Sequence, residues 1–168
     1  ITSPAYGVQP LGKLAFWLGF CCVSIVLIIA LRRQICLPEM AEADQFLFLV
    51  IASPMSVCLT GYVKAYGAGI SYPMLLGLFG IATIFYITAL IQVPKFLKRS
   101  FYPSYASFTF PFVISAIGVR DILSYFTSQH IVFRALEILA SLESVIAILL
   151  VLYTLLRYIR HVRQAVRF

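Results

Sequence analysis

Ser107-Phe108-Thr109-Phe110-Pro111-Phe112-Val113-Ile114-Ser115-Ala116-Ile117-Gly118 lies inside an uncharged run that extends from Ser100 to Val119. Such a run is close to the ~20 residues that cross ~30 Å of hydrocarbon as a helix. Pro111 stands where that helix would be interrupted, because proline has no N–H to donate and its ring clashes with the preceding turn. In lipid, the freed carbonyl must find a neighbouring helix, a water or a cavity. Phe110 directly precedes the proline. The stretch therefore reads as a membrane helix carrying a bend, with an aromatic ring beside it.

Composition extends this reading to the whole chain. Of 168 residues, 62% are hydrophobic and 11% charged, and mean hydropathy is +0.98. A soluble domain of this length has too small a core to hide that much apolar surface. The fold class is all-α, a polytopic membrane protein. Bounded by their charges, the apolar runs predict five transmembrane helices, near residues 14–31, 44–64, 72–92, 105–126 and 132–157. The chain is a single membrane domain whose short links imply antiparallel hairpins packed side by side. The opening Ile-Thr-Ser-Pro-Ala-Tyr-Gly reads as the end of a preceding segment.

The net charge of +7 raises the question of nucleic acid, but the basic residues are placed for membrane orientation instead. Arg32, Arg33, Lys95, Lys98, Arg99, Arg157, Arg160, Arg163 and Arg167 fall on one predicted side. Lys13, Lys64 and Arg134 fall on the other. The positive-inside bias makes the first side, with the C-terminus, cytoplasmic. The arginines after the last span recur at helical spacing and suit lipid headgroups. Cys21, Cys22, Cys36 and Cys58 show no metal-ligand spacing and read as small buried hydrophobes. No metal or other cofactor is expected.

Pro54 and Pro111 fall in the second and fourth spans, which alternate with spans read as proline-free. Transport folds are built from repeated hairpins with interrupted helices, although proline is also common in membrane helices generally. The bent helices are candidates to line a path, with Cys58 and Gly61 on the second. At ~100° per residue, Ser107, Ile114, Ile117 and Asp121 share Phe110's direction, while Ser115 and Gly118 point elsewhere. This face is one ring among mostly aliphatic side chains. It could close a path by occlusion and dewetting rather than coordination, but on these residues alone Phe110 reads first as a packing residue.

Phe48–Tyr62 (Phe-Leu-Val-Ile-Ala-Ser-Pro-Met-Ser-Val-Cys-Leu-Thr-Gly-Tyr) and Tyr105–Phe112 (Tyr-Ala-Ser-Phe-Thr-Phe-Pro-Phe) resemble the seventh and ninth helices of the tellurite-resistance/dicarboxylate transporter family, which includes TehA-like bacterial proteins and plant slow anion channels. The resemblance spans the chain but covers only the back half of that family's ten helices. It implies five helical hairpins in quasi-fivefold arrangement, with odd-numbered helices inside, and a homotrimer with one pore per subunit in the bacterial inner membrane. It also implies that Pro54 and Pro111 bend inner helices, that Phe110 occludes the pore, and that small inorganic or organic anions pass without a tight site. Its alternative activity is proton-coupled carriage of C4-dicarboxylates or tellurite. A non-transporting scaffold or sensor subunit is the alternative of another class.

Four charged residues strain an anion path. Asp121 lies about 16 Å beyond Phe110 on nearly the same face, where a carboxylate needs a cation; Arg120 and Arg134 are the candidates. Glu143 falls mid-span in the last helix. Intramembrane ionisable groups are functional candidates by default; structural pairing, subunit contact and a protonation step are the readings open for Glu143. An enzyme is not expected: His130 and His161 are the only histidines, and no zinc-protease motif, nucleophile elbow or phosphate loop is present.

Overall fold

The computed structural model describes residues 9–36, 53–97 and 109–165. These form five α-helices with no strand among them: α1 (Gln9–Cys36), α2 (Ser53–Tyr66), α3 (Tyr72–Leu97), α4 (Phe110–Ser128) and α5 (Arg134–Ala165). α1, α3, α4 and α5 are each long and apolar enough to cross a membrane. The described part of α2, at 14 residues, is only about 21 Å long, so a fifth crossing is not established. The Ser107 position lies outside the described residues, as do Lys98, Arg99 and Arg167.

Contacts fix the helix directions. Trp17 near the start of α1 donates from Nε1 to the Tyr66 hydroxyl at the end of α2, at 2.8 Å. Tyr72 at the start of α3 stacks on Phe126 near the end of α4, and Phe126 meets Phe133 just before α5 edge-on. Consecutive helices therefore run up and down, and α2 and α4 point the same way. Lys13, Lys64 and Arg134 gather at one end, beside a belt of Trp17, Tyr62, Tyr66 and Tyr72. The ends of α1, α3 and α5, with Arg33, Lys95 and Arg157, form the other. The separation of basic residues read from the sequence thus corresponds to the two ends of the bundle. Aromatic residues with a polar atom suit such an end because one side is apolar and the other wet.

Burial separates central from peripheral helices. On α3 the buried positions Leu75, Leu78, Ala82, Tyr86, Ala89 and Val93 form one stripe, and on α5 Ala140, Glu143, Ala147, Leu150 and Thr154 form another. Both follow the three-and-four spacing of a helix with one covered face. α2 is covered nearly all round: Ser53, Met55, Ser56, Cys58, Leu59, Thr60, Tyr62, Val63 and Ala65 are all buried. It packs against α1, α3 and α4. α4 packs against α2 and α5, and more lightly against α3. Among the described helices, α2 and α4 are therefore the most covered.

The expected bends at Pro54 and Pro111 fall at the edges of the described segments. Pro111 is in the first turn of α4, where the first N–H groups have no intrahelical partner anyway, so proline there starts a helix rather than bending it. Pro54 is the second residue of described α2. The proline inside a described helix is Pro94 of α3, a span expected to end at Gln92. Just beyond Pro94, the Leu97 carbonyl accepts from the Tyr153 hydroxyl at 3.1 Å and from Arg157 at 3.3 Å. α5 thus supplies donors that the end of α3 lacks.

The links are short and chemically defined. Gly67 has φ +50°, a left-handed conformation in which glycine has no Cβ penalty. After α4, His130 takes φ 58°, while its N–H bonds to the Thr127 carbonyl and that of Ile131 to the Phe126 carbonyl, both at 3.0 Å. That pair of bonds is a Schellman ending, with histidine where glycine is usual.

Candidate functional site: the central helices and their buried polar groups

α4 has two unlike faces. Pro111, Phe112, Ser115, Ala116, Gly118, Val119 and Ile122 are buried. Phe112 is 0% exposed, and its ring meets Tyr86 of α3 edge-on at 5.4 Å. Phe110, two residues earlier, is 50% exposed, and Ile117 is exposed on the same side. Ile114 and Asp121 are half-buried. The face drawn from helical periodicity around Phe110 is thus the face of α4 that the described helices leave uncovered. Ser115 and Gly118 do point away from it.

Cys58 and Gly61 do not join that face. They line a groove of about 370 Å³ between α1 and α2, with Gly12, Ala15, Phe16 and Gly19. A Cβ on Gly61 would lie 3.9 Å from the Phe16 ring. Cys58 is buried, as expected for a small hydrophobe, whereas Cys21, Cys22 and Cys36 are exposed.

α2 and α4 cross closely at Gly118. A Cβ there would lie 3.4 Å from Leu59 Cδ2 and Thr60 Oγ1, and 3.6 Å from the Ser56 carbonyl oxygen. The hydroxyls of Ser56 and Thr60 are buried without a hydrogen-bond partner. Elsewhere in the bundle, Ser24, Thr83, Thr88, Thr127, Ser141 and Ser144 each donate to the carbonyl four residues back. That local bond is the ordinary resting place of a hydroxyl in an apolar helix. Ser53, Ser56, Thr60 and Lys64 recur along one side of α2 at helical spacing, a polar stripe that the hydropathy of the run concealed.

Two carboxyl groups complete the site. Asp121 Oδ1 is 3.4 Å from Lys64 Nζ on α2, with the side chains 18% and 37% exposed. Its partner is therefore neither Arg120 nor Arg134, both of which are exposed. α2 and α4 are neighbours that run in the same direction, so the end of one meets the late turns of the other. Glu143 is 2% exposed and its Oε2 accepts from Ser115 Oγ at 2.9 Å. It is turned into the bundle, not outward to another subunit, and its partner is a hydroxyl instead of a cation. Tyr86, also buried, packs in one core cluster with Ala147, one turn beyond Glu143 on α5, and its hydroxyl has no hydrogen-bond partner.

Glu143 could have been placed from the sequence by the Ala140, Glu143, Ala147, Leu150, Thr154 spacing, which puts the carboxyl in the packed seam of α5. Tyr86 had no such signal, being one aromatic residue within a uniformly apolar span. Among the described residues, no group of histidine, cysteine, aspartate and glutamate is arranged to hold a metal ion. No family model, curated protein or solved structure matches the chain.

Proposed function

We propose that this chain is part of a membrane anion channel or transporter in which α2 and α4 stand beside the path and Phe110 obstructs it. The observation that supports this most is the uncovered face of α4. A central helix, packed on its other sides, leaves open a ring, two isoleucines and a carboxylate already held by a lysine. Such a surface offers an ion no strong ligand and suits control by occlusion and dewetting. The Lys64–Asp121 pair removes the objection that a bare carboxylate would repel anions. The same reading takes small inorganic or organic anions as the permeating species, a homotrimer in a bacterial inner membrane as the assembly, and the end carrying Arg33, Lys95 and Arg157 as cytoplasmic.

Replacing Phe110 with alanine tests the obstruction. The expected outcome is a higher anion conductance in planar bilayers than the parent protein gives. Background conductance in both forms would end the reading and leave a non-transporting scaffold or sensor subunit. A second reading, a proton-coupled carrier of C4-dicarboxylates or tellurite, draws support from Glu143, a buried carboxyl without a cation. Anion flux indifferent to an imposed proton gradient would remove it.

A further inference from the structure

We propose that Glu143, Ser115 and Tyr86 form a proton-binding site at the junction of α3, α4 and α5. All three side chains are buried, at 2%, 5% and 7% exposure. Glu143 lies nine residues into α5, about 14 Å along its axis, so the carboxyl is well inside the span. No lysine, arginine or histidine among the described residues is paired with it. From α4 it receives the Ser115 hydroxyl; on its own helix the buried Ala140 and Ala147 share its stripe; and from α3 Tyr86 packs in one core cluster with Ala116 of α4 and Ala147 of α5, its ring edge-on to Phe112. The carboxylate that α4 itself carries, Asp121, is engaged by Lys64.

This set can serve both forms of a carboxyl group. Ionised, Glu143 accepts the Ser115 O–H, the bond seen here. With a proton taken from the aqueous phase, the acid gains an O–H of its own. The Tyr86 hydroxyl oxygen, buried and without a hydrogen-bond partner in the structure, is the acceptor proposed for it. The step is only proton uptake, carboxylate plus H⁺ giving the neutral acid, and needs no co-reactant.

The site is connected to the uncovered face of α4. Ser115 belongs to the helix that begins with Phe110, and Phe112, one turn before Ser115, is the ring that packs on Tyr86. A change in the Glu143–Ser115–Tyr86 bonding therefore bears on α4 at two points close to Phe110. Only this connection to flux rests on the transport reading; proton binding itself does not.

The test is infrared difference spectroscopy of the protein in lipid vesicles as pH is lowered, alongside anion flux measured on the same vesicles. The expected result is a carboxylic-acid C=O band that grows with acidification and is absent from Glu143→Gln. In Tyr86→Phe and Ser115→Ala, which keep the carboxyl, the band should persist at a shifted frequency because a hydrogen-bond partner has been lost. A band retained in full by Glu143→Gln, or unmoved in both hydroxyl variants, overturns the site. Loss of pH-dependent flux in Glu143→Gln would support the link to α4. A titrating band without any flux would keep the site and end the channel reading.

Discussion

The two carboxyl groups that touch α4 are held in opposite ways. Asp121, toward the aromatic end of the bundle, faces a lysine and keeps some contact with the surroundings. Glu143, deeper and on the other side of α4, is 2% exposed, accepts from Ser115 and is flanked along α5 by the buried Ala140 and Ala147. A half-exposed ion pair stabilises weakly and is screened by salt. A sealed carboxyl depends entirely on its few hydrogen bonds, because nothing else can solvate it. On the proposed transport reading, the first arrangement neutralises a charge beside the path. The second keeps a titratable group away from it. α4 thus carries a paired carboxylate on one side and, on the other, donates a hydroxyl to a buried carboxyl of α5.

Gly118 lies between the two sites, one turn from Ser115 and one turn from Asp121, and its replacement should disturb both at once. A leucine there has to push through Leu59, Thr60 and the Ser56 carbonyl, and backbone cannot move aside as a flexible side chain can. Overpacking of this kind costs about 1–3 kcal/mol. Gly118→Leu should lose more stability than a substitution at either carboxyl site alone, read by denaturant unfolding in detergent micelles. An unchanged unfolding midpoint would mean that α2 and α4 do not meet closely at this glycine.

Ser115→Ala attacks the sealed site alone. It removes the hydroxyl donated to Glu143 and should cost about 0.6–2 kcal/mol, the span for interhelical hydrogen bonds in membranes. Pairing it with Glu143→Gln sharpens the contrast, since the amide has no charge to leave stranded. If the serine substitution costs as much in the glutamine background as in the parent, the bond to the carboxyl contributes nothing specific.

Much of the frame was legible because lipid imposes simple rules. Span positions follow from charge-free runs, and the two bundle ends from basic residues that recur at alternate links. The Phe110 face follows from the 100° step, which holds wherever α4 is regular. What could not be read depends on which helix lies next to which. Spacing within one chain segment suggested Arg120 or Arg134 for Asp121, because both are near it in sequence. Lys64 is far away in sequence and close only because α2 and α4 run side by side. Pro111 was misplaced for a different reason: a proline in the first turn and one in mid-helix look alike in an uncharged run. Pro94 shows the converse, as a basic residue beside it suggested an end that α3 passes through.

The smallest expected effect discriminates best between the two sites. Lys64→Met and Asp121→Asn, taken singly and together, give the coupling of a pair whose members are 37% and 18% exposed. Exposed pairs typically couple by about 0.2–1 kcal/mol, and the Asp121 environment should place this one toward the upper part of that range. The coupling should shrink as ionic strength rises from about 0.01 to 0.1 M, where the Debye length falls from about 30 to 10 Å. The Ser115–Glu143 coupling, measured by the same double-mutant cycle, should not change with salt, because solvent ions do not reach a carboxyl that is 2% exposed. Equal salt sensitivity at both would show that Glu143 is reached by solvent ions. The division of α4 into a compensated side and a sealed side would then collapse.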